Sequence, residues 1–578
     1  MSRAFTGVLS AAIAAMSVAN AAAQDAGARA YVLDQGAQTL TAVDIGTGKT
    51  GQSAKLEGTP ETLLRTANGQ RMLVLDRGQG RDAGDAGYQA KTKSAVTIVD
   101  GRTLAVQSRV ELCWGLQGPP MLSAAGDRLS VVCPGYRGKT PAESLPREIV
   151  TVDLQSGKVL SRLELTRPVS AHIATPDGRT GLVLSPREAP KKAPAQPAEL
   201  RFVDLTTGAV AVTVTLEGDP AGPVLAPDGQ FVYVLDRGKP SDNPDKNLNG
   251  KLHAISMSTH AIAAVTDVGS KPRGLVLDEQ RRRLLLLSDG QPFKGPGNNE
   301  RPGELRVVAG AAPAAPITVV NMPERVEQSA DGKTLYVLGG LGVTRLSLPD
   351  LGPGPTVRAP RMGFPETAIS ADGRRGWLSE GESFTTYDLE AGTKIESVKT
   401  GRAGKKLLLG VESWAATENS KTDAQRKAEV EGRSYYTYTE YTVKPAKGAL
   451  AIVPGDKAIY ALNSMTEDVT VVDGQTGQVI KKVAAGGFDV LFMPSVSTAV
   501  VAGAGTVHAV DYTSHEKLAP LVTSTNAAFG QATLSPDAKL AVIRGTGGVA
   551  IINATSGKPL GTMLPFTRVV DVAIDWGR

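Results

Sequence analysis

One recurring phrase constrains this chain more than any other feature. Its clearest copy is Ala226-Pro227-Asp228-Gly229-Gln230-Phe231-Val232-Tyr233-Val234-Leu235-Asp236-Arg237-Gly238. Pro presets φ for a turn, Asp bonds its own backbone and Gly accepts positive φ, so the opening is a hairpin corner. The β-prone run behind it is a strand. The same pairing returns at Asn68-Gly69 before 72–75, Gly126-Asp127 before 129–133, and Pro176-Asp177-Gly178 before 182–184. It returns again at Asp331-Gly332, Asp372-Gly373, Gly455-Asp456 and Pro536-Asp537. A second phrase alternates with the first, a strand ending in Asp followed by a Gly-containing turn. Examples are Val43-Asp44 before Thr47-Gly48, Val152-Asp153 before Ser156-Gly157, Val203-Asp204 before Thr207-Gly208 and Val472-Asp473 before Thr476-Gly477.

With a further β-prone run after each second phrase, such as 211–216, every unit supplies four short antiparallel strands, the pattern of a propeller blade. The fold class is therefore all-β, a β-propeller. The corners fall near 68, 127, 177, 228, 278, 331, 372, 456, 495 and 537. The gap from 372 to 456 is about twice the ~42-residue blade period, which predicts a degenerate unit with its corner near Glu412-Ser413. The chain starts on a second-strand phrase, Tyr31-Val32-Leu33-Asp34, and ends on what reads as a first strand, 569–574. Pairing these two ends makes one more blade, for about twelve. Rings commonly hold about 4–8 blades, so two consecutive propellers are expected. The first covers 24–324 and the second 325–578, with six blades each preferred over five plus seven.

Gly 64 and Pro 36 suit a turn-rich chain, and 41% hydrophobic with 21% charged residues suits a globular one. A net charge of +5 without a dense Lys/Arg stripe argues against nucleic acid as partner. Residues 1–23 read as a signal peptide. Ser2-Arg3 is the basic start, 4–15 is small and apolar, and Ala21-Ala22-Ala23 fits a cleavage site before Gln24. No later apolar run approaches the ~18 residues of a membrane span, so a periplasmic or secreted mature chain is expected. The two cysteines, Cys113 and Cys133, end a fourth strand and the next second strand. Both therefore lie at one end of consecutive blades, where a disulfide is expected.

Units in the first half are longer because of insertions at 79–93, 134–147, 186–197, 238–250 and 290–303. All five sit between second and third strands, which in an antiparallel meander end on the same face as the blade-to-blade connections. That face is the expected binding surface. The twin corners Leu75-Asp76-Arg77-Gly78 and Leu235-Asp236-Arg237-Gly238 open two of the insertions, so Arg77, Asp236, Arg237 and Lys239 are its candidate residues, with Asp–Arg pairing at each corner. Asp245, Asn247 and Asn249 before Gly250 match the opening of a calcium loop, although Ser256 stands where the closing acid is usual. Turn formation is the plainer use of those residues, and the cofactor expectation is none beyond calcium. In the second half, 415–434 reads as a charged helix or insert, followed by Tyr435, Tyr436, Tyr438 and Tyr441 in a strand. His172, His253, His260, His508 and His515 form no metal-spaced pair, and neither a nucleophile elbow nor a phosphate loop is present. The blade-corner aspartates are expected to cap turns.

The Pro-Asp-Gly corner with Tyr233-Val234-Leu235-Asp236, Tyr336-Val337-Leu338-Gly339 and Tyr460-Ala461-Leu462-Asn463 resembles the YVTN-type repeat of bacterial β-propellers, over most of residues 28–576. The family is similar to WD40-like propellers and to amine-dehydrogenase-chain propellers. The resemblance implies a repeat and not an activity. The functional expectation is an exported, non-enzymatic binding module for a protein or other cell-envelope macromolecule. The alternative is a lactonase-like hydrolase or redox-accessory propeller with an axial metal or cofactor.

Overall fold

The computed structural model describes residues 27–575 apart from 67, 77, 79–92, 135–145, 189–193, 239–248, 270, 279–280, 290–301, 330, 360–365, 381–382, 400–449 and 464–466. The expected signal peptide, the degenerate unit near Glu412-Ser413, and the 415–434 insert with its tyrosines lie outside the described residues.

Among the described residues eleven antiparallel blades follow one another, and apart from one 3-10 turn at Pro494–Val496 the described secondary structure is all strand. Blade 1 combines Arg29–Asp34, Thr39–Asp44 and Lys49–Lys55 with the last strand of the chain, Val569–Asp575. Blades 2 to 6 span 60–111, 117–164, 171–216, 220–267 and 272–319. Blades 7 to 9 span 323–358, 366–399 and 450–483, and blades 10 and 11 span 489–528 and 529–565. Strand Val522–Leu534 belongs to two sheets: one end pairs with blade 10 and the other opens blade 11. The pairing of chain ends expected from the sequence is present, with Arg29 opposite Asp575 and Ala30 opposite Ile574.

The second strands of blades 2 to 6 are buried on both faces, which is why they read as near-unbroken apolar runs rather than alternating ones. In Phe231–Asp236, Val232 and Val234 pack toward blade 4 while Tyr233 and Leu235 pack toward blade 6. Among the described residues eleven such apolar cores stand between consecutive blades, and the core formed by Ala30, Val32, Val43, Val542, Val549 and Ile551 joins blade 11 back to blade 1. Leu285, Leu287 and Leu305 of blade 6 share a core with Leu335, Val337 and Leu346 of blade 7. Blades 8 and 9 likewise pack directly on each other through Trp377, Phe384, Ile459 and Val472. Among the described residues the cores thus run in one circuit from blade 1 to blade 11 and back.

Polar contacts seal the seams between blades. Tyr31 Oη donates to Gly101 O (2.8 Å), Tyr233 Oη to Gly310 O (2.7 Å) and Tyr336 Oη to Gly373 O (2.9 Å), each reaching a corner of the next blade. Burial pushes the Tyr233 hydroxyl up to about 12, with the nearby Asp228 charge adding to the shift. The tyrosine of the repeated tetrapeptide is therefore a blade-to-blade latch. In blade 6 the corner phrase is replaced by Arg281-Arg282-Arg283. Arg282 donates to Pro227 O of blade 5 and Arg281 to Gly332 O of blade 7. At the ring closure, Asp571 of the last strand accepts the Leu63 amide at 3.0 Å.

The outer strands of blades 1–5 and 7–9 each carry a register shift near their start, as between Ile98 and Val99 or between Phe202 and Val203. Such bulges twist an exposed edge away from pairing with another chain.

The corner aspartates cap turns, as expected. Asp100 accepts the Arg102 and Thr103 amides, and Asp153, Asp204 and Asp388 repeat the arrangement. Backbone N–H donation, chiefly from Thr103, Ser156, Thr207 and Ala391 respectively, holds these four carboxylates below the usual range. At the first corners, Asp177, Asp331, Asp372 and Asp537 are lowered first by a hydroxyl two residues earlier: Thr175, Ser329, Ser370 and Ser535.

Candidate functional site

The five insertions occupy equivalent places in blades 2 to 6. The last register pairs before them are Asp76 with Ala95, Cys133 with Glu148, Ser185 with Glu199, Asp236 with Lys251 and Ser288 with Glu304. In blades 7, 8 and 11 the same connection is tight: Gly339 pairs with Gly342, Glu380 with Ser383 and Gly545 with Gly548. Most of four insertions, and 189–193 of the insertion at 186–197, lie outside the described residues, but the stems are described, and they meet the blade-to-blade connections as the meander requires. The Gly250 amide donates to Gly269 O (2.8 Å), Ser288 Oγ to Val268 O (3.2 Å) and Arg167 Nη2 to Pro186 O (2.7 Å). The expected disulfide joins Cys113, just past the outer strand of blade 2, to Cys133 at the foot of the blade 3 insertion, with Cα atoms 6.1 Å apart.

Of the twin corners where Asp–Arg pairing is expected, the described residues include Asp76, Asp236 and Arg237. Asp76 is buried. It accepts the Gly78 amide (2.8 Å) and pairs with Arg109 Nη2 (3.2 Å) from the outer strand of the same blade. Asp236 is also buried and accepts two amides, Gly238 and Asp219, each at 3.0 Å. Arg237 is exposed, and Arg77 lies outside the described residues, as does Lys239. The reason is strand geometry. The carboxylate ends a buried strand and turns under the neighbouring connection, whereas the next side chain points the opposite way. Gly58 and Gly218 fit over these carboxylates with φ +80 and +81, and a Cβ at either position would overlap the Asp Oδ2. Asp236 thus holds the foot of the insertion in place, and Arg237 beside it is exposed.

The other stems use ion pairs that the sequence reading overlooked. Glu148, largely buried, pairs with Arg162 Nη1 (3.1 Å), which also donates to Leu112 O (2.8 Å). Glu199 pairs with Arg167 (3.0 Å) and Arg201 (2.9 Å), and Arg167 is almost fully buried. In blade 6, Arg306 pairs with Glu304 (3.0 Å) and Arg273 with Asp289. Burial pushes the Asp289 carboxyl up, with the Arg273 hydrogen bond opposing it. One signal was available: the twin phrases Glu199-Leu200-Arg201 and Glu304-Leu305-Arg306 each follow an insertion. In a strand, residues two apart share a face, so each phrase places a carboxylate and a guanidinium side by side.

Of the calcium candidates, Asp245 and Asn247 lie outside the described residues. Asn249 Nδ2 donates to Asp267 Oδ2 at 3.1 Å, and Asp267 Oδ1 accepts the Gly269 amide, so Asn249 helps to close the stem. The histidines are spread over blades 4, 5 and 10. His172 Nε2 lies 3.0 Å from Pro119 O, His260 stacks on Phe202 with ring centroids 4.4 Å apart, and His515 Nδ1 lies 3.1 Å from Tyr460 Oη. His253 is buried without a hydrogen-bond partner beside Asp236 on the neighbouring strand, and burial pushes its pKa down. Among the described residues, metal-competent side chains converge at Cys113, Cys133 and Glu148, on the insertion-bearing face. A cavity of about 310 Å³ opens where Val522–Leu534 changes sheets, lined by Gly530, Gln531, Arg544, Thr546 and Val569 among others.

No protein-family model and no curated protein matches the chain. Similar solved structures include a eukaryotic initiation factor, at 10% identity and TM-score 0.38 over 95% of this chain and 98% of that one. Dihydro-heme d1 dehydrogenase NirN in complex with DHE is similar at 13% identity and TM-score 0.33, over 64% and 73%. The β-propeller domain of Cps50 (Swd1) from Myceliophteria thermophila is similar at 14% identity and TM-score 0.29, over 58% and 95%. The description of this chain as a propeller rests on its own sheet order and circuit of cores.

Proposed function

We propose that the chain is an exported β-propeller of the YVTN type that binds a protein or another cell-envelope macromolecule through the insertion-bearing face of blades 2 to 6. The observation that carries the reading is the uneven distribution of the insertions. Five consecutive blades extend the same connection on one face, and each described stem is clamped by a buried Asp, a Glu–Arg pair or the disulfide. Rigid supports beneath extended loops are the usual arrangement for recognition. The disulfide fits an oxidising compartment, and among the described residues no helix is long and apolar enough to cross a membrane.

The test is to shorten the five insertions to the two-residue turns of blades 7, 8 and 11 and to compare cross-linked partner recovery from the cell envelope. The full-length chain is expected to recover a stoichiometric macromolecule, and the shortened chain to lose it at unchanged thermal stability. Equal recovery by both chains would count against the reading, as would a stoichiometric metal with no partner.

A further inference from the structure

We propose that Cys113, Cys133 and Glu148 form a zinc site when the disulfide is reduced, so that metal and disulfide are alternative ways of holding the same stem. The three ligand atoms already lie within 4.8 Å of one another, and all three residues are buried. Glu148 is the register partner of Cys133 across the sheet, which places its carboxylate beside the sulfur by backbone geometry. Arg162 takes one carboxylate oxygen, Oε1, which leaves the other for a metal.

A disulfide alone does not call for a buried carboxylate at its side, and in the oxidised chain that charge rests on Arg162. With two thiolates and one carboxylate around Zn²⁺ the site carries one net negative charge, which the same guanidinium balances. Two sulfurs and one oxygen suit zinc better than calcium or magnesium, which take oxygen ligands. Tetrahedral zinc at Zn–S of about 2.3 Å needs sulfurs about 3.8 Å apart. With the Cα atoms at 6.1 Å, side-chain rotation supplies that opening. Water fills the fourth position.

Reduction by a phosphine in water adds two electrons and two protons to the S–S bond and gives two thiols. One water oxygen leaves as phosphine oxide, and zinc then displaces the two thiol protons. Cys113 follows blade 2 and Cys133 opens the blade 3 insertion, so either link ties that insertion's foot to the preceding blade.

The test is cobalt titration of the folded, full-length chain before and after phosphine reduction, with thiols counted by alkylation. One cobalt per reduced chain is expected, with thiolate-to-cobalt charge-transfer absorption that zinc abolishes, and none in the oxidised chain. Glu148→Gln should weaken the reduced site by at least about tenfold while leaving the disulfide of the oxidised chain intact. The double variant Cys113→Ser/Cys133→Ser should lose binding altogether. Three results would overturn the proposal: a reduced chain that binds no cobalt, binding unchanged in Glu148→Gln, or a disulfide that resists reduction while the chain stays folded.

Discussion

Blades 2–6 and blades 7–11 share corners, middle strands and blade-to-blade cores, yet they treat one connection in opposite ways. In blades 7, 8 and 11 only two residues join the second strand to the third. In blades 2–6 the connection is extended, and the stem acquires Asp76 with Arg109, Glu148 with Arg162, Glu199 with Arg167 and Arg201, or Asp236 with two amides. A hairpin turn satisfies its own backbone. A long insertion leaves strand-end amides and the neighbouring connection without those partners, so side chains must supply them. The comparison teaches that the described charges on this face belong first to the stems, while Arg237 is exposed beside them.

The comparison can be broken most forcefully at the disulfide. Replacing both cysteines with Ala should cost about 3 kcal/mol for a crosslink of this spacing, read as a lowered urea midpoint. Reduced wild type without metal should match the variant. Next is Gly218→Ala, where strain at positive φ adds to overlap with a fixed carboxylate, for about 2–4 kcal/mol. Gly229→Ala, at φ +71 with nothing within 4 Å of the added Cβ, should cost only the backbone share, about 1–2 kcal/mol. Equal losses at the two glycines would remove Asp236 from its role as a clamp.

Tyr233→Phe and Tyr336→Phe should each cost about 1 kcal/mol. One latch lies in each half of the molecule, so the two losses should agree if the seams are alike. The smallest contrast is with pH. The corner aspartates are lowered in both halves, Asp100, Asp153, Asp177 and Asp204 in one and Asp331, Asp372, Asp388 and Asp537 in the other. A depressed folded pKa means that the unfolded chain takes up protons first as the pH falls. Their contribution is therefore complete above the unfolded value of 3.8 and is lost as pH drops through the folded values. The melting temperature should hold above about pH 5 and fall below about pH 4, in one transition for both halves. Two acid transitions would mean that the halves melt separately.

Much of the fold was legible because each blade is encoded locally. Pro227-Asp228-Gly229 makes its turn from its own backbone preferences, and Tyr233-Val234-Leu235 is apolar on both faces because both faces meet a blade. The position of the insertions was legible too, since a meander puts every second-to-third connection on one face. The candidate site was read less fully. Asp76 and Asp236 looked like partners for the arginines beside them in sequence. Among the described residues their partners include Arg109, the Gly238 amide and the Asp219 amide, brought in by strand pairing and the adjoining connection.

By itself the sequence determined the repeat, the four-stranded unit, the pairing of Tyr31-Val32-Leu33-Asp34 with the chain's last strand, and the disulfide, all of which follow from short-range periodicity and turn chemistry. Only the tertiary structure decided which blade packs on which. Blade 6 meets blade 7 through Leu287 and Val337, and blade 11 meets blade 1 through Val542 and Val32. Every blade presents similar apolar faces, so no local pattern says which blades share a core. That depends on contacts between residues hundreds of positions apart, such as the Leu63 amide on Asp571.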